Sequence, residues 1–270
     1  MIFMGSKYNW GQKIVDTITP WIHPGGLLVE PFVGAAGVCH KWRTDVLALD
    51  SNPHLITLWR ACQAGWRPPP REAVTKELHA QYKANPVHGD PMTAYLLFGC
   101  SFRGVWRGGF CHNSTHVRKD NGKIEFHDFV GRSTRLLLKK IPGIARPGVQ
   151  FEMLDYRALP NPYRGLTIYA DPPYKGTSQR GIGHAGQNSD DETFNSPEFW
   201  AHADWWAHCG ARVFVSEQTA PSHWIPFRSW TMGRTIGAGN RPKKTEILWV
   251  HCDSEMALSL GSAGPSEPAK

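Results

Sequence analysis

Four consecutive residues, Asp171-Pro172-Pro173-Tyr174, combine a carboxylate, two rigid residues and an aromatic ring. They follow the apolar run 166–170, which predicts a buried strand. The Asp171 carboxylate and the Pro172 carbonyl can accept hydrogen bonds from an exocyclic NH2 group, and Tyr174 can stack on a planar ring. Such contacts draw the nitrogen lone pair out of conjugation. The motif therefore predicts a site that activates the amino group of a nucleobase, although a simple strand-ending turn is the alternative.

A second motif, Glu30-Pro31-Phe32-Val33-Gly34, follows the apolar residues 27–29 and leads into a run of small residues. This pattern predicts a buried strand, a tight loop and then a helix through about Trp42. Glycine in such a loop lets the backbone approach a ligand closely, and the amino end of the helix adds a favourable dipole. Taken alone, the motif is also compatible with an ordinary βαβ unit.

Two carboxylates near this loop indicate the kind of ligand. Asp50 ends the apolar run 46–49, sixteen residues after Gly34, and an acid at the tip of a second strand suits a ribose diol. Glu30 would repel a pyrophosphate but suits a zwitterionic amino acid. The sequence has no Gly-Lys-Ser/Thr of a phosphate-binding loop. Together these features predict S-adenosylmethionine as the cofactor rather than a dinucleotide.

With these motifs the chain resembles the Dam-type DNA adenine-N6 methyltransferases, to about residue 251. That family has a lysine-bearing amino-terminal motif, to which residues 4–8 are similar, then the Glu-Pro-Phe-x-Gly loop, a target-recognition insert and Asp-Pro-Pro-Tyr. The resemblance implies an α/β fold: a Rossmann-like S-adenosylmethionine-dependent methyltransferase sheet of seven strands with an antiparallel last hairpin and an inserted helical and β-hairpin region. The cofactor-binding residues that it implies are Lys7, Glu30, Pro31, Phe32, Gly34, Asp50, Asp155 and Asp171. The catalytic residues that it implies are Asp171, Pro172, Pro173 and Tyr174.

The same resemblance implies methyl transfer from S-adenosylmethionine to N6 of adenine in duplex DNA. Because the amino group cannot be reached inside a duplex, the base must be flipped out. Tyr174 would then stack on it, while Asp171 and the Pro172 carbonyl hold its amino group. This chemistry requires no metal, and the histidines and cysteines show no metal-binding spacing.

Three alternatives remain open. Cytosine-N4 methylation uses the same amine chemistry, although its family more often has Ser in place of Asp171. The related motifs of RNA adenine methyltransferases more often begin with Asn, and a basic insert favours duplex DNA. The third alternative is a degenerate fold that only binds DNA, which the combination of Asp171, Tyr174 and Glu30 disfavours.

The positive charge of the chain is concentrated between the two motifs. Residues 100–150 contain ten Lys or Arg and three acids, an excess equal to the formal net charge of +7. A solvated basic face is the usual explanation of such a run of charges. The confinement of the excess positive charge to one segment favours a phosphate-binding surface instead. Asn121-Gly122 predicts the turn of a β-hairpin over 115–129, and Phe102 and Trp106 could stack on bases or belong to the core. The predicted DNA-binding residues are Arg103, Arg107, Arg118, Lys119, Asn121, Lys123, Arg132, Arg241, Lys243 and Lys244.

The remaining pattern fits one catalytic domain with one insertion. We predict catalytic parts at 1–58 and 148–252, the insert at 59–147 and a disordered tail at 253–270. Strands are predicted at 27–31, 46–50, 149–154, 166–170, 212–216 and 246–251. Helices are predicted over 59–81 with a break at three prolines, over 91–100, and from a Ser196 cap to Gly210, with Trp200, Trp205 and Trp206 facing the sheet. Residues 175–188 predict a mobile lid.

Composition agrees with an α/β enzyme of this kind. At 270 residues and 41% hydrophobic, the chain can bury a full core. No apolar stretch reaches the roughly 20 residues of a membrane helix, and the amino terminus lacks a signal-peptide pattern. Six cysteines without Cys-x-x-Cys spacing favour reduced thiols. We therefore expect a monomer in the cytoplasm of a bacterial or phage-infected cell, with duplex DNA as its partner and with no membrane and no metal.

Overall fold

A computed structural model describes residues 1–111, 114–117, 122, 124–159, 165–174, 194–231 and 245–262. The strands in these ranges are β1 Leu28–Glu30, β2 Val46–Asp50, β3 Ser114–Val117, β4 Ile124–His127, β5 Val149–Met153, β6 Thr167–Ala170, β7 Arg212–Ser216, β8 Trp224–Thr231 and β9 Thr245–His251. The α-helices are α1 Gly11–Ile18, α2 Pro53–Gln63, α3 Lys76–Ala84, α4 Pro91–Ala94, α5 Phe129–Ile144, α6 Ser196–His208 and α7 Glu255–Ser262. None of the helices described is long and apolar enough to cross a membrane.

Seven of the strands form one sheet in the order β5-β2-β1-β6-β7-β9-β8. The first five are parallel to one another, and β9 runs antiparallel to both β7 and β8. The predicted Rossmann-like methyltransferase sheet with its antiparallel last hairpin is therefore confirmed. Because the strand order reverses between β1 and β6, their carboxyl ends open into a crevice, where ligands bind in open α/β sheets.

The core consists of two clusters, one on each face of the sheet, because neighbouring strand residues point to opposite faces. Leu28 and Tyr169 belong to the cluster that also includes residues of α1, α2 and α5. Val29 and Ile168 belong to the cluster beneath α6. Both clusters pack directly against β1 and β6, so the two strands that lead to the crevice are fixed from both sides.

The insert shares the core of the sheet instead of forming a core of its own. Tyr95 and Phe98, in a π-helical continuation of α4, belong to the same cluster as Leu28. The predicted boundary at residue 58 falls inside α2, because Asn52 caps that helix by accepting hydrogen bonds from the backbone N–H groups of His54 and Leu55. The predicted hairpin is present as β3 and β4, while most of its turn lies outside the described residues.

The predicted helix after the Glu30 motif is wrong. The chain forms turns there and a short 3-10 helix at Cys39–Lys41. Ala36 has a left-handed φ of 50°, which an α-helix cannot contain. The carbonyl of Ala35 accepts a hydrogen bond from buried Lys140 at 2.5 Å, so side chains replace the bonds that a helix would make. The loop therefore lacks the α-helix that was predicted to follow it directly.

Three further predictions at the carboxyl-terminal side are corrected. Asn195, not Ser196, caps α6, because its side chain accepts from the Glu198 N–H. Trp200 and Trp206 are buried against the sheet as predicted, but Trp205 is 39% exposed on the outer face of the helix. The predicted disordered tail is wrong for residues 255–262, which form α7, because Met256 is buried in the core. The predicted lid lies outside the described residues.

Candidate functional site

A cavity of about 210 Å³ lies where the carboxyl ends of β1 and β6 meet. Three separate segments and one strand end form its wall. The lining residues are Phe3 to Lys7 from the amino terminus, Glu30 at the end of β1 with Phe32 to Ala35, Gly37 and Val38 after it, Asp50 at the end of β2, and Tyr169 within β6 with Asp171 to Tyr174 after it. The two motifs found in the sequence, 141 residues apart, therefore face one space.

Asp50 holds the loop after β1 in place. Its Oδ2 accepts a hydrogen bond from the Gly34 N–H at 2.8 Å, and its Oδ1 accepts one from the Asn52 N–H at 2.9 Å. The Trp59 indole donates to the Gly34 carbonyl at 2.8 Å. Gly34 has a left-handed φ of 48°, which favours glycine. Asp50 thus lines the cavity as predicted and also shapes the loop.

Glu30 is a buried carboxyl group in the floor of the cavity. It accepts a short hydrogen bond from the Trp42 indole. Burial raises the pKa of Glu30 to about 8, and the nearby charge of Asp171 adds to this rise, although the Trp42 hydrogen bond opposes it. At neutral pH the group is therefore mostly protonated until a positive charge arrives. Such a carboxyl group is suited to an ammonium group.

Lys7 joins the amino-terminal segment to the Asp-Pro-Pro-Tyr motif. Its Nζ lies 2.6 Å from Asp171 Oδ1 and 3.6 Å from Glu246 Oε1, and its side chain is almost completely buried. Burial alone would lower the pKa of Lys7, but the carboxylates of Asp171 and Glu246 outweigh it and raise the pKa above its ordinary value. Lys7 is therefore a fixed positive charge, and it orients the carboxylate predicted to contact the target amine.

Tyr174 is held by a residue that the sequence analysis did not single out. Its hydroxyl donates to Glu246, at 3.1 Å from Oε1 and 3.3 Å from Oε2, and the Lys7 Nζ lies 4.5 Å from its ring centroid. Burial and the charge of Asp171 raise the pKa of Tyr174, so the hydroxyl stays a donor. Glu246 is a fully buried carboxylate in β9, which lies between β7 and the edge strand β8. An acid within an apolar strand is the signal that could have identified it.

Two predicted cofactor-binding residues are not among the described residues that line the cavity. Pro31 does not line the cavity, although its neighbours Glu30 and Phe32 do. Asp155 begins a short 3-10 helix and binds Arg157, through its backbone N–H at 2.9 Å and its Nε at 2.8 Å. A role for Asp155 beside the cofactor stays a prediction.

Of the predicted DNA-binding residues, three lie in described parts of the chain. Arg103 and Arg132 are exposed, whereas Arg107 donates to the Lys83 carbonyl at 2.6 Å. Phe102 is 59% exposed, but Trp106 packs on Phe98 with ring centroids 4.8 Å apart. The other seven lie outside the described residues: Arg118, Lys119, Asn121, Lys123, Arg241, Lys243 and Lys244.

The segment with Arg103 lies against the wall of the cavity. The Met4 N–H donates to the Gly104 carbonyl at 3.3 Å. Gly104 has a φ of 68°, and a Cβ there would come within 2.5 Å of the Phe3 Cα. Only glycine permits this approach. The turn at Arg103-Gly104 and the amino-terminal lining of the cavity are therefore packed directly against each other.

Comparisons with known proteins add little to this geometry. No family model and no curated protein matches the chain. Among solved structures it is similar to the "Putative methyltransferase yhhF from Escherichia coli", with 8% identity, a TM-score of 0.39, and coverage of 90% of this chain and 86% of that chain. The strand order and the position of the cavity define the class, which is a Rossmann-like α/β protein with a methyltransferase-type sheet.

Proposed function

We propose that the protein is an S-adenosylmethionine-dependent methyltransferase that modifies the N6 amino group of adenine in duplex DNA, as expected for a Dam-type enzyme. One observation carries the proposal: Asp171 to Tyr174 and the loop after Glu30 face the same cavity across the switch point of the sheet. A site for an exocyclic amine thus lies beside a site for a ligand with an ammonium group. This is the juxtaposition that methyl transfer to an amine requires.

The residues around the cavity fit the cofactor. Glu30 would accept the ammonium group of its amino acid part, and Asp50 lies at the strand tip where a ribose diol is bound in related sheets. The left-handed Gly34 lets the loop backbone approach closely. Bound S-adenosylmethionine would supply an electrophilic methyl group on a positively charged sulfur.

The target amine would be held by the Asp-Pro-Pro-Tyr motif. Asp171 and the Pro172 carbonyl accept its two hydrogens, which directs the nitrogen lone pair away from the ring. Lys7, at 2.6 Å, stabilises the ionised form of Asp171, so this carboxylate acts as a hydrogen-bond acceptor. Tyr174 stacks on the base, and Glu246 fixes the ring in position. Positioning of this kind supplies much of the rate enhancement.

Duplex DNA is favoured as the substrate by the charge of the segment between the motifs. Its excess of seven positive charges equals that of the whole chain, and Arg103 is exposed next to the wall of the cavity. Extrusion of a base costs a few kcal/mol, which phosphate contacts on such a surface can offset.

The test is methyl transfer from labelled S-adenosylmethionine to duplex DNA, single-stranded DNA and RNA, followed by nucleoside analysis. We expect N6-methyladenine from duplex DNA, and we expect Asp171→Ala to lose several orders of magnitude in turnover while it still binds cofactor. Asp16→Ala, an exposed acid on α1, is the matched control and should leave turnover unchanged. Label in cytosine or RNA would reassign the substrate, and near-native turnover of Asp171→Ala would refute the assignment of the catalytic motif.

A further inference from the structure

Three histidines and two aspartates gather at a place that the proposed reaction does not use. They lie where α6, the segment before β8 and the end of β9 meet, and none is among the described residues that line the cavity. The members of this cluster are Asp204, His208, His223, His251 and Asp253. They come from three separate stretches of the sequence, which only the fold brings together.

Three of these side chains direct one ligand atom each at a common point. Asp204 Oδ1 lies 2.8 Å from His223 Nε2 and 3.9 Å from His251 Nε2. All three atoms lie within 4.8 Å of one another. A tetrahedral ion with bonds of about 2.0–2.1 Å needs ligand atoms about 3.3 Å apart, and the two distances lie on either side of that value. Small side-chain rotations would therefore complete the geometry.

Neighbouring residues hold these ligand atoms in position. The Trp224 indole donates to Asp204 Oδ1 at 2.7 Å and fixes the carboxylate. His251 is only 6% exposed, and its Nδ1 accepts a hydrogen bond from the Asp253 backbone N–H at 3.3 Å, while Asp253 Oδ2 lies 3.8 Å away. A second cavity, of about 580 Å³, is lined by His251 together with His208 and Asp253, and not by Asp204 or His223.

We propose that Asp204, His223 and His251 bind a divalent transition-metal ion, with Zn²⁺ as the best fit to two imidazoles and one carboxylate. The ion takes the place of the hydrogen between His223 Nε2 and Asp204. Each neutral imidazole keeps its single proton, which moves from Nε2 to Nδ1. In His251 this proton replaces the hydrogen bond from the Asp253 N–H, and it is donated to Asp253 Oδ2, now 3.8 Å away, after a small movement of that exposed side chain. Solvent water completes the coordination. The site would cross-link α6 to both strands of the last hairpin, which makes it a structural clamp apart from the proposed reaction.

An overlapping triad, formed by His208, His251 and Asp253, is the weaker alternative. Asp253 is 79% exposed, so an ion there would lack a fixed carboxylate. His208 donates its Nδ1 hydrogen to the Asp204 carbonyl at 2.7 Å, which leaves its Nε2 as the only ligand atom on that ring. This triad supplies the matched control, because His208→Gln removes none of the three proposed ligand atoms on Asp204, His223 and His251.

The experiment measures Zn²⁺ binding by the full chain, without a histidine tag, after metal has been removed with a chelator. Titration calorimetry should give one saturable site, and Zn²⁺ should raise the melting temperature. His223 is half-exposed, so His223→Gln should fold, and it should lose at least about tenfold in affinity, since even changes outside the ligand set cost that much. His208→Gln and Cys252→Ser should bind as the wild type does. Co²⁺ should show visible bands without thiolate absorption.

Asp204→Asn keeps the shape of the site, and it should weaken binding as His223→Gln does. The proposal fails if the wild-type chain shows no saturable site. It also fails if affinity falls in His208→Gln but not in His223→Gln, which would move the ion to the overlapping triad. Loss of binding in Cys252→Ser would assign the metal to a thiolate instead.

Discussion

Protonation of Glu30 should control how tightly the cofactor binds. With a pKa of about 8, Glu30 is about half ionised at pH 8, about one tenth at pH 7 and about one hundredth at pH 6. If only the ionised form accepts the ammonium group of S-adenosylmethionine, affinity should fall about 50-fold from pH 8 to pH 6, or about 2.3 kcal/mol. The sign follows from the raised pKa, because binding must remove a proton that the free protein holds.

The assay is titration calorimetry in pairs of buffers with different ionisation enthalpies. Binding at pH 7 should release about 0.9 proton per cofactor, and this release should fall to about half a proton at pH 8. Glu30→Gln is the matched variant, because its side-chain carbonyl can still accept the Trp42 hydrogen bond. Any titration of the ligand itself affects the wild type and Glu30→Gln equally. The difference between the two profiles therefore reports Glu30 alone.

The reasoning about Glu30 would be refuted by wild-type affinity that does not change between pH 6 and pH 8. Equal slopes in wild type and Glu30→Gln would refute it as well, because the titration would then belong to another group. Circular dichroism of both proteins at each pH separates these results from loss of the fold.

Three other changes test separate parts of the structure. Met256→Ala should lower the free energy of unfolding by about 2–5 kcal/mol in urea titrations, whereas Leu258→Ala, which is 70% exposed, should change it by less than about 0.5 kcal/mol; equal effects would contradict the packing of α7. Burial lowers the pKa of Lys140 from 10.5 to about 7, so the native state binds fewer protons than the unfolded chain between these values, and stability should rise with pH through this window. Lys140→Met should lose that rise between pH 7 and pH 9, and an unchanged rise would count against a buried Lys140. Glu246→Leu, which removes the acceptor of the Tyr174 hydroxyl, should slow methyl transfer by about 10- to 100-fold through misplacement of Tyr174 while cofactor affinity stays the same, and unaltered turnover would remove Glu246 from the site.

Most of the sheet could be predicted from the sequence because buried parallel strands are continuous apolar runs. β1, β2, β5, β6, β7 and β9 were predicted to within two residues at each end. β8 was not predicted as a strand, because Pro226 interrupts it and its burial does not alternate regularly. It is an edge strand, where proline is tolerated, and its pairing with β9 shifts register between Pro226 and Arg228.

The candidate site was predictable where its residues are adjacent in sequence and unpredictable where they meet through the fold. Asp171 and Tyr174 stand in one motif, so their chemistry is visible in the sequence. Glu246 reaches Tyr174 from another strand, 72 residues away in sequence. The turns that replace the predicted helix depend on Lys140, whose ammonium group arrives from an insert helix. The helix and strand propensities of neighbouring residues do not depend on such long-range partners, so they cannot predict them.

The close approach of Gly104 to Phe3 has a consequence for how such a protein can diversify. Any side chain at position 104 would collide with the Phe3 backbone, and Phe3 lines the cavity. The arginine-bearing segment is therefore not an exchangeable module. A segment transplanted from another protein would need a glycine at this one position, or it would deform the small-molecule pocket as it changed the outer surface. The arginine-bearing surface and the cavity are therefore expected to change together in evolution. New specificities should arise by substitutions around Gly104 rather than by replacement of the whole arginine-bearing segment.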